Sequence, residues 1–153
     1  MYLAHYLGML HRSLNELAGA FSEIGRGHTG EPDLHDACER LAGQCVEHSR
    51  RLEPFVERYA EETSGEPERP HSTLFSGTRT GDLGLLRDLH DLYLMAAECD
   101  LCWTLIGQAA RDARDEELLG VVGSCARETS EQTLWLRDRM KQAASRTLVV
   151  VAS

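Results

Sequence analysis

Residues 61–81, EETSGEPERPHSTLFSGTRTG, decide how this chain folds. Pro67, Pro70, Gly77 and Gly81, set among Ser72, Ser76 and Thr78, break any helical pattern. The break spans roughly twenty residues, longer than the usual connection between bundle helices. Strongly helical segments lie on both sides, and the links inside each flank are short. One long link in the middle of four helices predicts a crossover that runs the length of a bundle. The second and third helices would then be parallel, with the first and fourth opposed to them. Leu74 and Phe75 are the residues expected to pin this connection to the bundle.

Immediately upstream, a helix begins near Pro32, with Glu31, Asp33 and Asp36 suited to the positive end of its dipole. Its inner face reads Leu34, Cys38, Leu41, Cys45, His48, Leu52, Phe55, Tyr59, an unbroken seam at spacings of three and four. The first helix, about Tyr2 to Gly25, repeats the pattern with Leu3, Leu7, Leu10, Leu14, Leu17, Phe21 and Ile24. Gly25, Gly27 and Gly30 end it.

Downstream, a third helix spans about Asp82 to Ala113 through Leu86, Leu89, Tyr93, Ala96, Asp100, Trp103, Ile106 and Ala110. A tight turn at Arg114 and Asp115 leads to a fourth, near Glu116 to Ala144. Its inner face is read as Leu118, Val122, Cys125, Thr129 or Glu128, Gln132, Leu136 or Trp135, and Met140. Residues 1–146 thus form one all-α four-helix bundle, and 147–153 an apolar tail. The glycines inside helices, Gly120 and Gly123 above all, are expected to permit close helix approach, within the bundle or between subunits.

Composition narrows the function classes. Acidic residues number 25 against 16 basic ones, a net charge of −9, and no basic patch interrupts them. Such a surface repels phosphate backbones and anionic headgroups, so neither nucleic acid nor membrane is an expected partner. No apolar run approaches the ~20 residues of a bilayer span. Five cysteines in helical segments do not make a secreted disulfide framework. A cytoplasmic protein with reduced thiols is expected, and the scarcity of Lys (Lys141 alone) hints at a GC-rich bacterial genome. Phosphate-cradling glycine loops and a Gly-x-Ser-x-Gly elbow are absent.

Polar residues gather near the helix midpoints: His11, Asn15 and Glu16 on the first helix, Cys45 and His48 on the second. The third contributes Glu98, Cys99, Asp100 and Cys102, the fourth Cys125, Glu128, Glu131 and Gln132. A polar layer halfway along four apolar seams is where bundles build cofactor sites. The stretches Ala97-Glu98-Cys99-Asp100-Leu101-Cys102-Trp103, Glu116-Glu117-Leu118-Leu119 and Glu128-Thr129-Ser130-Glu131-Gln132-Thr133-Leu134-Trp135-Leu136 look like the second hairpin of the small bacterial ferritin-like bundles. The last is similar to their Glu-Glu-x-x-His-x-x-Trp-Leu pattern. The resemblance implies a ferritin-like four-helix bundle with a diiron site at mid-height.

On that alignment Thr129 replaces a Glu, Gln132 a His, and Cys45 the Glu that precedes His48. Thr and Gln are poor iron ligands, and a thiolate prefers softer metals. The first expectation is therefore a ferritin-like bundle without an intact diiron site, serving as a homodimeric accessory or structural protein. The alternative is a metal site for zinc, copper or iron, or a small-ligand site, built from Cys45, His48, Asp100, Cys125 and Glu128. An unusual oxidase or hydroxylase is the third possibility. For the cysteines and His48 alike, plain core packing is the competing interpretation.

Overall fold

The computed structural model describes residues 2–60 and 75–149. Among the described residues four helices make up the fold and no strand occurs. They are α1 (Leu3–Gly27), α2 (Pro32–Ala60), α3 (Gly81–Asp112) and α4 (Glu116–Thr147). None is long and apolar enough to cross a membrane.

The two short connections are fixed by local bonds. The turn into α4 holds Arg114 at φ 57°, and the Asp115 side chain accepts from the Leu118 backbone N–H as N-cap. Between α1 and α2, backbone bonds from the Glu31 N–H to the His28 carbonyl and from Leu34 to Glu31 tighten a short turn.

Helices α1 and α2 pack as one hairpin and α3 and α4 as another, with α1 against α3 and α2 against α4. Side-chain contacts fix the directions. Asp88, near the start of α3, bonds to His28 at the end of α1, where α2 also begins. Arg146, at the end of α4, reaches Glu31 at that same end. At the other end Arg58 and Tyr59 of α2 meet Asp115 ahead of α4. Helices α2 and α3 therefore run parallel to one another and antiparallel to α1 and α4.

The seams of α1 and α2 fall where expected: Leu7, Leu10, Leu14, Leu17, Phe21 and Ile24 are fully buried, as are Leu34, Cys38, Cys45, His48 and Leu52. Tyr59 is half-buried. In α3 the buried face is rotated from the expected one. Leu85, Leu92 and Cys99 point inward, while Leu86, Tyr93 and Asp100 are half-buried at the margin. The reason is that α3 also carries Leu94, Leu101 and Leu105 on its outer side, so apolar residues occur nearly all round. In α4, Thr129, Gln132 and Leu136 are the inner choices, and Arg139 is buried in place of Met140, held by Glu31 and Asp33.

Glycine bears on packing at two helix contacts. A Cβ at Gly25 would sit 2.8 Å from Cys38 Cβ, and one at Gly107 would sit 3.1 Å from Val122 Cγ1. Gly120 and Gly123 instead face open space, so they serve no close approach within the described chain. Phe75 packs against the core, as expected. Leu74, most of the expected crossover (61–74) and the tail beyond Val149 lie outside the described residues.

Candidate functional site at mid-bundle

Halfway along the bundle, α2 and α4 meet through polar side chains rather than apolar ones. Cys45 and His48, three apart, lie on one face of α2, and Glu128 and Gln132, four apart, on the facing side of α4. His48 Nε2 is 2.9 Å from Glu128 Oε1. A carboxylate accepting there requires Nε2 to carry a hydrogen, and in the neutral ring that leaves Nδ1 with a bare lone pair. The ring is buried, and Nδ1 has no hydrogen-bond partner. Its nearest aromatic neighbour is Trp103 of α3, edge-on with ring centroids 6.1 Å apart, and the Trp103 indole N–H is likewise buried without a partner.

One turn along, the Cys45 thiol lies 3.8 Å from Gln132 Oε1, and Gln132 Nε2 donates to Gln44 Oε1 at 3.0 Å. In the other direction Arg51 Nη1 donates to Ser124 Oγ at 2.8 Å and lies 3.7 Å from Cys125 Sγ. Thr129 turns its hydroxyl back to the Cys125 carbonyl, 3.0 Å away, the usual way a Thr satisfies itself inside a helix.

All five cysteines are buried free thiols. Burial pushes Cys45 up to about 12, because the core solvates a thiolate poorly; the Gln132 hydrogen bond opposes this and the Glu128 charge adds to it. Cys99 is raised too, first by burial and then by Cys45 and Cys102. Cys125 is raised less far by burial, with Arg51 pulling the other way. At neutral pH these are neutral, inert side chains that pack as small hydrophobes.

The five candidate ligands are thus distributed unevenly. His48 and Glu128 are joined directly, and Cys45 lies one turn from them, paired with Gln132. Cys125 is engaged by Arg51. No hydrogen bond or ion pair joins the Asp100 side chain, at the margin of α3, to the other four candidates. Among the described residues no group of three or more His, Cys, Asp or Glu is arranged to hold a metal ion. The donor set does not fit a diiron centre. One imidazole and one carboxylate meet, and Thr129, Gln132 and a protonated Cys45 occupy the neighbouring inner positions.

A second polar cluster, at the end of the bundle, was not anticipated. Asp88 is fully buried and accepts from the Arg79 backbone N–H at 3.0 Å and from Arg79 Nη1 and His28 Nε2, each at 2.8 Å. An acid within Arg87-Asp88-Leu89-His90-Asp91 carries no mark separating it from a solvated one; its position between Leu85 and Leu92 on the inner face is the only clue. No protein-family model, no curated protein and no solved structure matches this chain.

Proposed function

We propose that this chain is a ferritin-like bundle whose diiron chemistry has been lost, acting as a homodimeric accessory or structural protein of the bacterial cytoplasm. The ferritin-like assignment is supported by topology: α2 and α3 are parallel, and each helix is antiparallel to both neighbours. The observation that carries the functional reading is that the polar side chains between α2 and α4 at mid-bundle are engaged with one another. His48 is taken by Glu128, Gln132 by Gln44 and Cys45, and Arg51 by Ser124. Carboxylates at the remaining inner positions would be needed for hard-metal redox work, and uncharged side chains stand there instead.

A second reading, binding of a metal ion or small polar ligand at the same layer, draws on one observation. His48 Nδ1 and Trp103 Nε1 are both buried without partners. A carboxylate behind one imidazole nitrogen is also the arrangement that orients the other nitrogen toward a ligand.

Elemental mass spectrometry on protein purified without chelators, with thiols counted and molar mass measured alongside, tests both readings. The proposal expects no stoichiometric metal, five free thiols and a mass of twice 17.1 kDa. Stoichiometric zinc or copper, lost in His48→Ala, would replace it with the ligand reading. Stoichiometric iron would overturn the loss of diiron chemistry.

A further inference from the structure

We infer that two copies of this chain associate through the outer face of α3, packed antiparallel about a two-fold axis, with the Arg87 of each copy against the Asp112 of the other. The inference rests on the dimeric reading above and says which surface carries it.

The inner side of α3 is settled by Leu92, Ala96, Cys99, Trp103 and Ile106, all buried. On the opposite side, Leu94, Leu101 and Leu105 are 41%, 56% and 43% exposed. With Glu98 they fall at spacings of four, three and four, so they form one continuous stripe. Arg87 lies one heptad before Leu94 and Asp112 one heptad after Leu105, which extends the same stripe at both ends. Leucines exposed singly are ordinary; three in register on one helix are a contact surface.

The order along this stripe is self-complementary. Arg87 and Asp112, Leu94 and Leu105, and Glu98 and Leu101 are each equidistant in sequence from the Cys99–Asp100 peptide bond. A two-fold axis through that point turns the helix onto itself in the antiparallel sense. Every residue then meets its counterpart twice, as an isologous interface requires. Leu94 faces Leu105 on both sides of the axis, Leu101 faces the aliphatic stem of Glu98 beside it, and each end is closed by a cation facing an anion, roughly 19 Å from the axis. Both end charges are available. Arg87 has no ion pair among the described residues, and Asp112 is bonded only to the neutral Gln108 side chain.

The shape of the neighbouring surface agrees. A cleft of about 600 Å³ opens between the start of α1 and the end of α3, with Tyr2, Tyr6, Leu105, Ile106, Ala109 and Asp112 in its lining. In the antiparallel arrangement the Leu94 side chain of the second copy lies at this opening, and its Arg87 reaches Asp112 beside two tyrosine rings. Aromatic faces next to a carboxylate favour a guanidinium. The bias matters because each chain carries a net charge of −9, and close approach of two copies needs a local attraction.

The test is the molar mass by light scattering over a dilution series, for wild type, Leu101→Glu, Arg87→Glu, Asp112→Arg and the double variant Arg87→Glu/Asp112→Arg. All three positions are exposed, and unchanged helical circular dichroism verifies folding. Wild type is expected to be dimeric, each single variant to raise the dimer dissociation constant about a hundredfold, and the double variant to return to within about tenfold of wild type. A wild-type dimer indifferent to all the substitutions would overturn this surface while leaving the dimeric reading intact. A wild-type monomer at 100-micromolar concentrations (on the order of a generous upper bound for a weak dimer) would overturn both. Single charge variants that dissociate without rescue in the double variant would overturn the Arg87–Asp112 register.

Discussion

His28 and Asp88, sixty positions apart in the chain, meet through a 2.8 Å contact between Nε2 and Oδ2 at one end of the bundle. The carboxylate also takes two donors from Arg79, so the end of α1, the residues leading into α3 and α3 itself converge on one buried acid. A buried anion with three donors is stabilising only while the set is complete.

Truncating Asp88 to Ala is therefore expected to destabilise the protein by about 3 kcal/mol, because Arg79 and His28 lose their common acceptor in a desolvated place. Chemical denaturation followed by circular dichroism reads this as a lower midpoint. His28→Ala removes one donor of three and is expected to cost less than half as much. Equal midpoints for Asp88→Ala and wild type would show that the cluster contributes nothing.

His48→Ala deletes a fully buried ring from the α2 seam and is expected to cost about 2–4 kcal/mol. Glu128, being half-exposed, is left facing water and adds little further penalty. Trp103 emission, read in a Trp135→Phe background, is expected to change because the imidazole edge beside its ring is gone. A variant with unchanged midpoint and unchanged emission would place His48 outside the seam.

Alkaline pH is expected to weaken the fold well before the backbone itself is affected. Burial raises Cys38, Cys45 and Cys102 from an ordinary value of 9.0 to about 12. The unfolded chain releases these protons first. The stabilisation is complete below pH 9 and drains as pH climbs from 9 toward 12, at up to about 1.4 kcal/mol per unit for each thiol. Urea midpoints from pH 8 to 10.5 check the slope, and Cys45→Ala is expected to flatten it. At neutral pH an aromatic disulfide reagent is expected to leave the native thiols unmodified and to titrate all five once guanidinium is added.

Glycine substitutions are expected to split by location. Gly25→Ala forces α1 away from Cys38 and is expected to lower stability by about 1–3 kcal/mol. Gly120→Ala and Gly123→Ala meet nothing and are expected to raise it by up to about 1 kcal/mol each, since Ala is the better helix former. Thermal melts of the three variants give the order directly.

What was legible follows from the contrast between faces. Helices α1 and α2 alternate apolar and polar sides cleanly, so their buried residues from Leu3 to Ile24 and from Leu34 to Phe55 could be read from spacing. Helix α3 puts leucines on the outside as well, and spacing then selected Tyr93 and Asp100 where Leu92 and Cys99 are buried. At mid-height, spacing brought out both His48 and Glu128, but not that they would be each other's partner. That depends on the register of α4 against α2, which is a tertiary fact. Asp88 and Arg139 were missed because a buried charge becomes visible only with the partners that neutralise it, His28 and Arg79 for one, Glu31 for the other.

The boundary between α2 and α4 has one more consequence. Among the described residues nearly every side-chain bond joining the two hairpins lies on it: Glu31 with Arg139 and Arg146, Gln44 with Gln132, His48 with Glu128, Arg51 with Ser124, Arg58 and Tyr59 with Asp115. Leucines tolerate a neighbour displaced by one helical turn, about 5.4 Å; these pairs do not. Sliding α4 along α2 by that amount breaks all of them together, like the pins of a lock under the wrong key. Hydrophobic burial makes the two hairpins adhere, and this row of polar pairs admits a single alignment between them.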